Sequence, residues 1–134
     1  MDPTRVLVVF YSRCGTTEKL ALAAAVGAVQ ARANIRLRRL PDSAASSSAA
    51  ETPECQQELI RMRKEYIGPK EADLLWAQGI ISILPPDLIT TAPECIEYFD
   101  LLKRLGINAP PAALADAGQA VAFGRKLASS LFSA

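Results

Sequence analysis

Residues 5–17 read RVLVVFYSRCGTT, and the fold follows from this stretch. Arg5 to Tyr11 reads as one strand, in which Val6 to Tyr11 is an unbroken run of β-branched, aliphatic and aromatic residues, too short to cross a membrane. A run of this length without alternation reads as a strand covered on both faces, the centre of a parallel sheet. Ser12 to Thr17 is polar and contains Gly15, so the chain turns there. The alanine-rich segment that follows, to about Ala33, has no proline and reads as a long helix. Leu22, Val26, Val29 and Ala33 recur at helical spacing and are its expected buried face.

Working outward, Asn34 to Leu40 alternates Ile35 and Leu37 against Arg36 and Arg38, the pattern of an exposed edge strand. The arginines suit a solvated edge, or alternatively a phosphate or a nucleic acid. A low-complexity SAASSSAA run follows, and a mobile loop is expected over 42–53. A helix is expected from Glu54 to Tyr66, carrying Leu59, Ile60, Met62 and Tyr66, and a short helical turn over Glu71 to Ala77. Gly79 to Leu84 reads as a second apolar strand of the buried type, closed by Pro85-Pro86. Thr90 or Thr91 is positioned to cap the next helix, whose expected stripe is Ile96, Phe99, Leu102 and Leu105, with Gly106 ending it. After the link Asn108 to Pro111, a last helix is expected over Ala112 to Phe132, with a narrow face of Ala117, Val121, Gly124, Ala128 and Leu131.

This alternation implies one α/β domain over all 134 residues: a three-layer sandwich around a parallel sheet. Right-handed crossovers place the first strand in the middle, in order 2-1-3. The third strand is then an apolar edge that no further strand of the chain covers. Homo-oligomerisation through that edge or through the last helix is expected.

Bulk composition narrows the chemistry. Half the residues are hydrophobic, 22% are charged and the net charge is +1, so neither disorder nor a nucleic-acid partner is expected. There is no histidine, which excludes His-based general-base catalysis and His-ligated metal sites. Cys14, Cys55 and Cys95 show no paired spacing, and reduced thiols in a cytoplasmic protein are expected. Cys14 sits beside Arg13 at a helix start, a setting that lowers a thiol pKa, with no resolving cysteine near it in the sequence. Glu18, Asp42, Asp73 and Asp87 show no paired spacing for acid–base work, and no catalytic side chain or metal ligand set is assigned.

Ligands of open parallel sheets bind beyond the carboxyl ends of the strands, near the switch in strand order. Ser12 to Thr17 falls there. The amides of Cys14, Gly15, Thr16 and Thr17, with the hydroxyls of Ser12, Thr16 and Thr17 and the charge of Arg13, form a candidate cradle for a phosphate-bearing small molecule. The plainer alternative is a tight turn at Gly15 and helix caps at the threonines.

VLVVFYSRCGTTEKLALAAAVGA resembles the start of flavodoxin-like proteins, whose loop reads Ser/Thr-x-Thr-Gly-x-Thr. Ser12, Gly15 and Thr17 match it, and Cys14 stands where Thr or Tyr is usual. EADLLWAQGIISILPP and AGQAVAFGRKLAS are similar to segments of the Trp-repressor-binding-protein group of NAD(P)H:quinone oxidoreductases. The resemblance implies a shortened flavodoxin-like fold lacking the fourth and fifth strands. It also implies an FMN cofactor held by Ser12, Arg13, Cys14, Gly15, Thr16 and Thr17 at its phosphate. Pro85, Pro86, Asp87 and Leu88 would lie beside its ring. That second loop departs from the family's Gly-x-Pro-x-Arg-aromatic pattern. The implied activity is electron or hydride transfer through the flavin. The alternative is a cofactor-free relative acting in oligomerisation or protein–protein interaction.

Overall fold

The structure is a computed structural model that describes residues 3–42 and 52–132. Three strands, β1 (Arg5–Phe10), β2 (Asn34–Arg39) and β3 (Gly79–Ile83), form a parallel sheet in the order β2-β1-β3. Arg5 to Phe10 pairs with Asn34 to Arg39 on one side, and Val6 to Phe10 pairs with Gly79 to Ile83 on the other. This is the expected α/β open sheet, with the order of a truncated flavodoxin-like fold. The helices are α1 (Thr16–Gln30), α2 (Pro53–Glu65), α3 (Glu71–Trp76), α4 (Pro93–Arg104) and α5 (Ala117–Phe132). A 3-10 turn, Pro86–Leu88, follows β3. Most of the mobile loop expected over 42–53 lies outside the described residues.

β1 explains the two cores. Its alternate residues Val6, Val8 and Phe10 face α1, α2 and α5, joined by Ile81, Ile83, Met62 and small residues of the helices. Leu7, Val9 and Tyr11 face the other way, onto Leu74, Cys95, Tyr98 and Leu102. Six consecutive side chains, Val6 to Tyr11, are fully excluded from solvent. At roughly 1.5–3 kcal/mol for each large apolar side chain, this strand organises both layers.

Of the face expected to be buried, only Ala33, just beyond α1, is in the core; along α1 itself the expectation is reversed. Leu22, Val26 and Val29 are about half exposed, at 42%, 50% and 52%. Ala21, Ala24, Ala25, Gly27 and Ala28 are the buried ones. The cause is that α1 has two neighbours, the sheet and α5. At the crossing a Cβ on Gly27 would fall on the carbonyl of Val121 and within 2.9 Å of the Arg125 amide. One on Gly124 would fall on the carbonyl of Ala24. Helices this close need backbone against backbone, so the small residues turn inward and the large ones outward. On α5, Val121, Gly124, Ala128 and Leu131 do pack on this side, with Ala120, while Ala117 is exposed.

Other elements shift locally. On α4 the buried residues are Cys95, Tyr98 and Leu102, with Glu94, and Ile96 faces out. Neither threonine caps α4: its N-cap is Ala92, and Thr91 Oγ1 donates instead to the Asp87 carbonyl at 2.9 Å. Gly106 does end α4, in the left-handed region at φ 69°, and the Ile107 amide reaches back to the Leu102 carbonyl. β3 is not wholly apolar. Ser82 is buried, its hydroxyl 2.7 Å from Tyr98 Oη and 3.0 Å from the Ala109 carbonyl that accepts from it.

The free side of β3 is partly covered from within the chain. Pro111 forms a parallel bridge with Ser82, and the Ala112 amide donates to the Ser82 carbonyl at 2.8 Å. Leu127 and Leu131 of α5 close over Gly79. The last helix begins only at Ala117 because the five residues before it serve as this cover and its approach. The β2 edge is not simply solvated either. Asp73 of α3 takes Arg36 at 3.1 Å and Arg38 at 3.1 Å, and Arg36 lies over the Trp76 ring.

The α1–α5 crossing gives a sharp test. Helix propensity alone makes Gly→Ala favourable by about 1 kcal/mol, whereas a backbone clash costs about 3 kcal/mol or more. Gly27→Ala and Gly124→Ala are each expected to lower unfolding free energy by at least about 2 kcal/mol in urea titrations. Val26→Ala should change it by less than about 1 kcal/mol. The opposite ranking would restore Val26 to the core.

Candidate functional site

The loop between β1 and α1 is shaped by Gly15, which holds φ 96° in the left-handed region and is the N-cap of α1. Its amide donates to Ser12 Oγ at 3.0 Å, so this bond closes the turn internally. The amides of Cys14, Thr16 and Thr17 have no hydrogen-bond partner among the described residues. They stand at the positive end of a 15-residue helix. Such an end is an anion site in waiting.

What holds the loop is a buried arginine at the end of the strand whose alternation suggests an exposed edge. Arg39, the last residue of β2, is 3% exposed. Its Nε and Nη2 donate to the Ser12 carbonyl at 3.2 and 2.7 Å. Its Nη1 donates to Asp42 at 3.0 Å, and its guanidinium lies over the Tyr11 ring. Tyr11 Oη in turn lies 2.8 Å from both Asp42 and Glu94. Burial alone would raise the Asp42 carboxyl, but the bonds from Arg39, Tyr11 and Arg63 outweigh it and hold its pKa below the ordinary value. Burial and these carboxylates push the Tyr11 hydroxyl far up, so it stays protonated.

A second ion cluster braces the start of α1. Glu18 accepts from Arg61 of α2 at 2.5 and 3.0 Å and from Tyr66 at 2.6 Å. The Arg61 bond is the main cause that lowers the Glu18 pKa. Tyr66 also meets Phe10 edge to face, which explains its place without a ligand role.

An open cleft of about 850 Å³ lies at the carboxyl edge of the sheet. It brings together nine of the ten residues singled out from sequence: Ser12, Arg13, Cys14, Thr16 and Thr17 on one side, and Pro85, Pro86, Asp87 and Leu88 on the other. Gly15 sets the turn and does not line the cleft. The third wall is Ala112 to Ala115 with Gln119, which sequence reasoning assigned to the last helix. Leu20, Leu84, Leu88 and Leu114 make much of the lining apolar, and Asp87 is the one carboxylate in it among the described residues. The volume is within the range of small-molecule sites.

Cys14 and Cys55 are joined by a disulfide across 41 residues of chain, with Cα atoms 4.6 Å apart. This overturns the expectation of reduced thiols there, and supplies Cys14 with the partner that its sequence neighbourhood lacked. Topology carried the missing signal. Helices that follow parallel strands begin at the same edge of the sheet, so the first turn of α2, which holds Cys55, lies beside the first turn of α1. Cys95 remains a buried free thiol.

No family model matches the chain, and no curated protein sequence matches it. Among the described residues no cluster of His, Cys, Asp or Glu could hold a metal ion, and no helix is long and apolar enough to cross a membrane.

Two measurements test the bracing. Arg39→Met leaves the Ser12 carbonyl and the buried Asp42 short of a cation, and is expected to cost about 3 kcal/mol of unfolding free energy. A change below about 1 kcal/mol would mean that the loop is held otherwise. Glu18, Asp42 and Asp73 all have folded pKa values below their unfolded ones. Their contribution is therefore complete above the unfolded carboxylate range and disappears as pH falls through it toward the lower folded values. Urea midpoints should be flat from about pH 7 to 5 and fall steeply below about pH 4. A midpoint that instead rises on acidification would contradict these ion pairs.

Proposed function

We propose that this chain binds FMN in the cleft and belongs with the flavodoxin-like relatives of NAD(P)H:quinone oxidoreductases. One observation carries the reading: three residues at the N-terminus of α1, whose amides have no partner among the described residues, line a cleft whose far walls are largely apolar. That pairing of an anion cradle with an apolar slot suits a molecule with a phosphate at one end and a flat ring at the other.

The residues fit the cofactor unequally. Cys14, Thr16 and Thr17 would hold the phosphate through their amides, with the Thr16 and Thr17 hydroxyls beside them. Leu84, Pro85, Leu88 and Leu114 offer apolar surface to the ring. Asp87 is the misfit, since a carboxylate beside the flavin disfavours added electron density. A bound flavin would supply the hydride and electron chemistry, and the protein would position it.

The rival reading is a cofactor-free module for self-association, and the observation that favours it is the free edge of β3. Ser82 is bridged there by the chain's own Pro111 and Ala112, where a full fourth strand would run the length of the edge. The half-exposed Leu22, Val26 and Val29 on α1 add apolar surface.

Titration of the purified chain with FMN, followed by quenching of flavin fluorescence, separates the two. The expected result is saturable one-to-one binding, tightened about threefold or more in Asp87→Asn by removal of the opposing charge. Failure to quench at FMN concentrations up to about 1 mM would retire the flavoprotein reading in favour of the module.

A further inference from the structure

We propose that Cys14 and Cys55 are a reversible dithiol–disulfide pair that tunes the affinity of the cleft for phosphate-bearing ligands. The inference rests on the ligand reading above and adds its regulation. Three features converge on it. Cys14 is itself a wall of the cleft, and its amide is one of the three without a partner among the described residues. Cys14 is exposed while Cys55 is buried, so Cys14 is the side of the bond nearer to solvent. Each cysteine lies at the amino end of a helix, Cys14 just before the Gly15 cap of α1 and Cys55 in the first turn of α2. Positive helix ends favour thiolates, which eases both release and re-formation of the bond.

The chemistry is an exchange with a dithiol reductant. One thiolate of the reductant attacks Cys14 Sγ, the Cys14–Cys55 bond breaks, and Cys55 leaves as a thiolate that takes a proton. In the disulfide form its sulfur lies 3.6 Å from the Arg13 carbonyl, an acceptor at hand for that proton. The reductant's second thiol attacks the sulfur now bound to Cys14, closes its own disulfide and releases the Cys14 thiolate, which is protonated. Two electrons and two protons have passed to the protein.

The direction of the effect follows from stiffness. With the bond closed, the main chain at Cys14 is pinned to α2, and the open amides are held in place before a ligand arrives. With it open, the loop must be ordered on binding, and affinity falls. About a tenfold weakening is expected. By linkage the ligand must make the pair harder to reduce by the same factor. For a two-electron couple a tenfold change is a shift of about 30 mV to more negative potential.

The full chain is titrated with FMN in its disulfide form and again in dithiothreitol, with thiols counted by alkylation under denaturing conditions. Cys95 is the internal standard, because it is a free thiol outside the disulfide and is alkylated in either form once the chain is denatured. The expected result is one alkylated thiol before reduction and three after, with FMN binding about tenfold weaker in the reduced form. Cys55→Ser, a residue outside the cleft, should bind at the reduced-form affinity whether or not reductant is present. If that variant does not fold, the redox midpoint of the wild-type chain with and without saturating FMN gives the same answer. Three thiols before reduction, or equal or tighter binding after it, would overturn the switch while leaving the flavin reading in place. No binding in either form would overturn both.

Discussion

The contact on which the architecture turns is the approach of α1 to α5 at Gly27 and Gly124, where each helix lays backbone on backbone. That closeness determines how deep α1 can sit on the sheet. The position of α1 determines where its amino end points, and that end is the floor of the cleft. A methyl group at either glycine would push the helices apart and tilt the cradle with them. The Arg39 guanidinium works at the opposite end of the same problem, holding the Ser12 carbonyl so that the strand delivers the loop in one orientation.

Two layers of polar bracing surround this point, and both tie neighbouring elements rather than neighbours in sequence. Arg61 and Tyr66 reach from α2 and the residue after it to Glu18 on α1. Arg39 and Arg63 meet at Asp42, beside Tyr11. The disulfide adds a covalent tie between the loop and α2. In each case a charged or reactive group is neutralised by a partner at the same edge of the sheet. Buried charges of this kind are tolerated only with such pairing.

The strands were legible because continuous apolar runs have few alternatives in a chain this short. Val6 to Tyr11 and Gly79 to Ile83 could only be covered on both faces, and the crossover rule then orders the sheet. Helix ends marked by Gly15 and Gly106 were legible for the same local reason. Helix faces were not. Periodicity scores Leu22, Val26 and Val29 above alanine, yet the interior chose Ala21, Ala24 and Ala28 because space, not hydrophobicity, was limiting. The two loops lining the cleft were visible as segments; the third wall, the Arg39 anchor and the cysteine pair were not. These depend on contacts across 27 and 41 residues, which no local pattern encodes.

The bridge between Ser82 and the Pro111–Ala112 segment has a consequence for how such a chain can change size. Between the end of α4 at Arg104 and the start of α5 at Ala117, the backbone meets the sheet at Ser82, through Ala109, Pro111 and Ala112. Both cores are complete without the intervening residues serving as a strand. Whole strand-and-helix units can therefore be spliced in or out at this seam, lengthening or trimming the sheet from one side. The helix that closes the domain and the loop that opens it would keep their places.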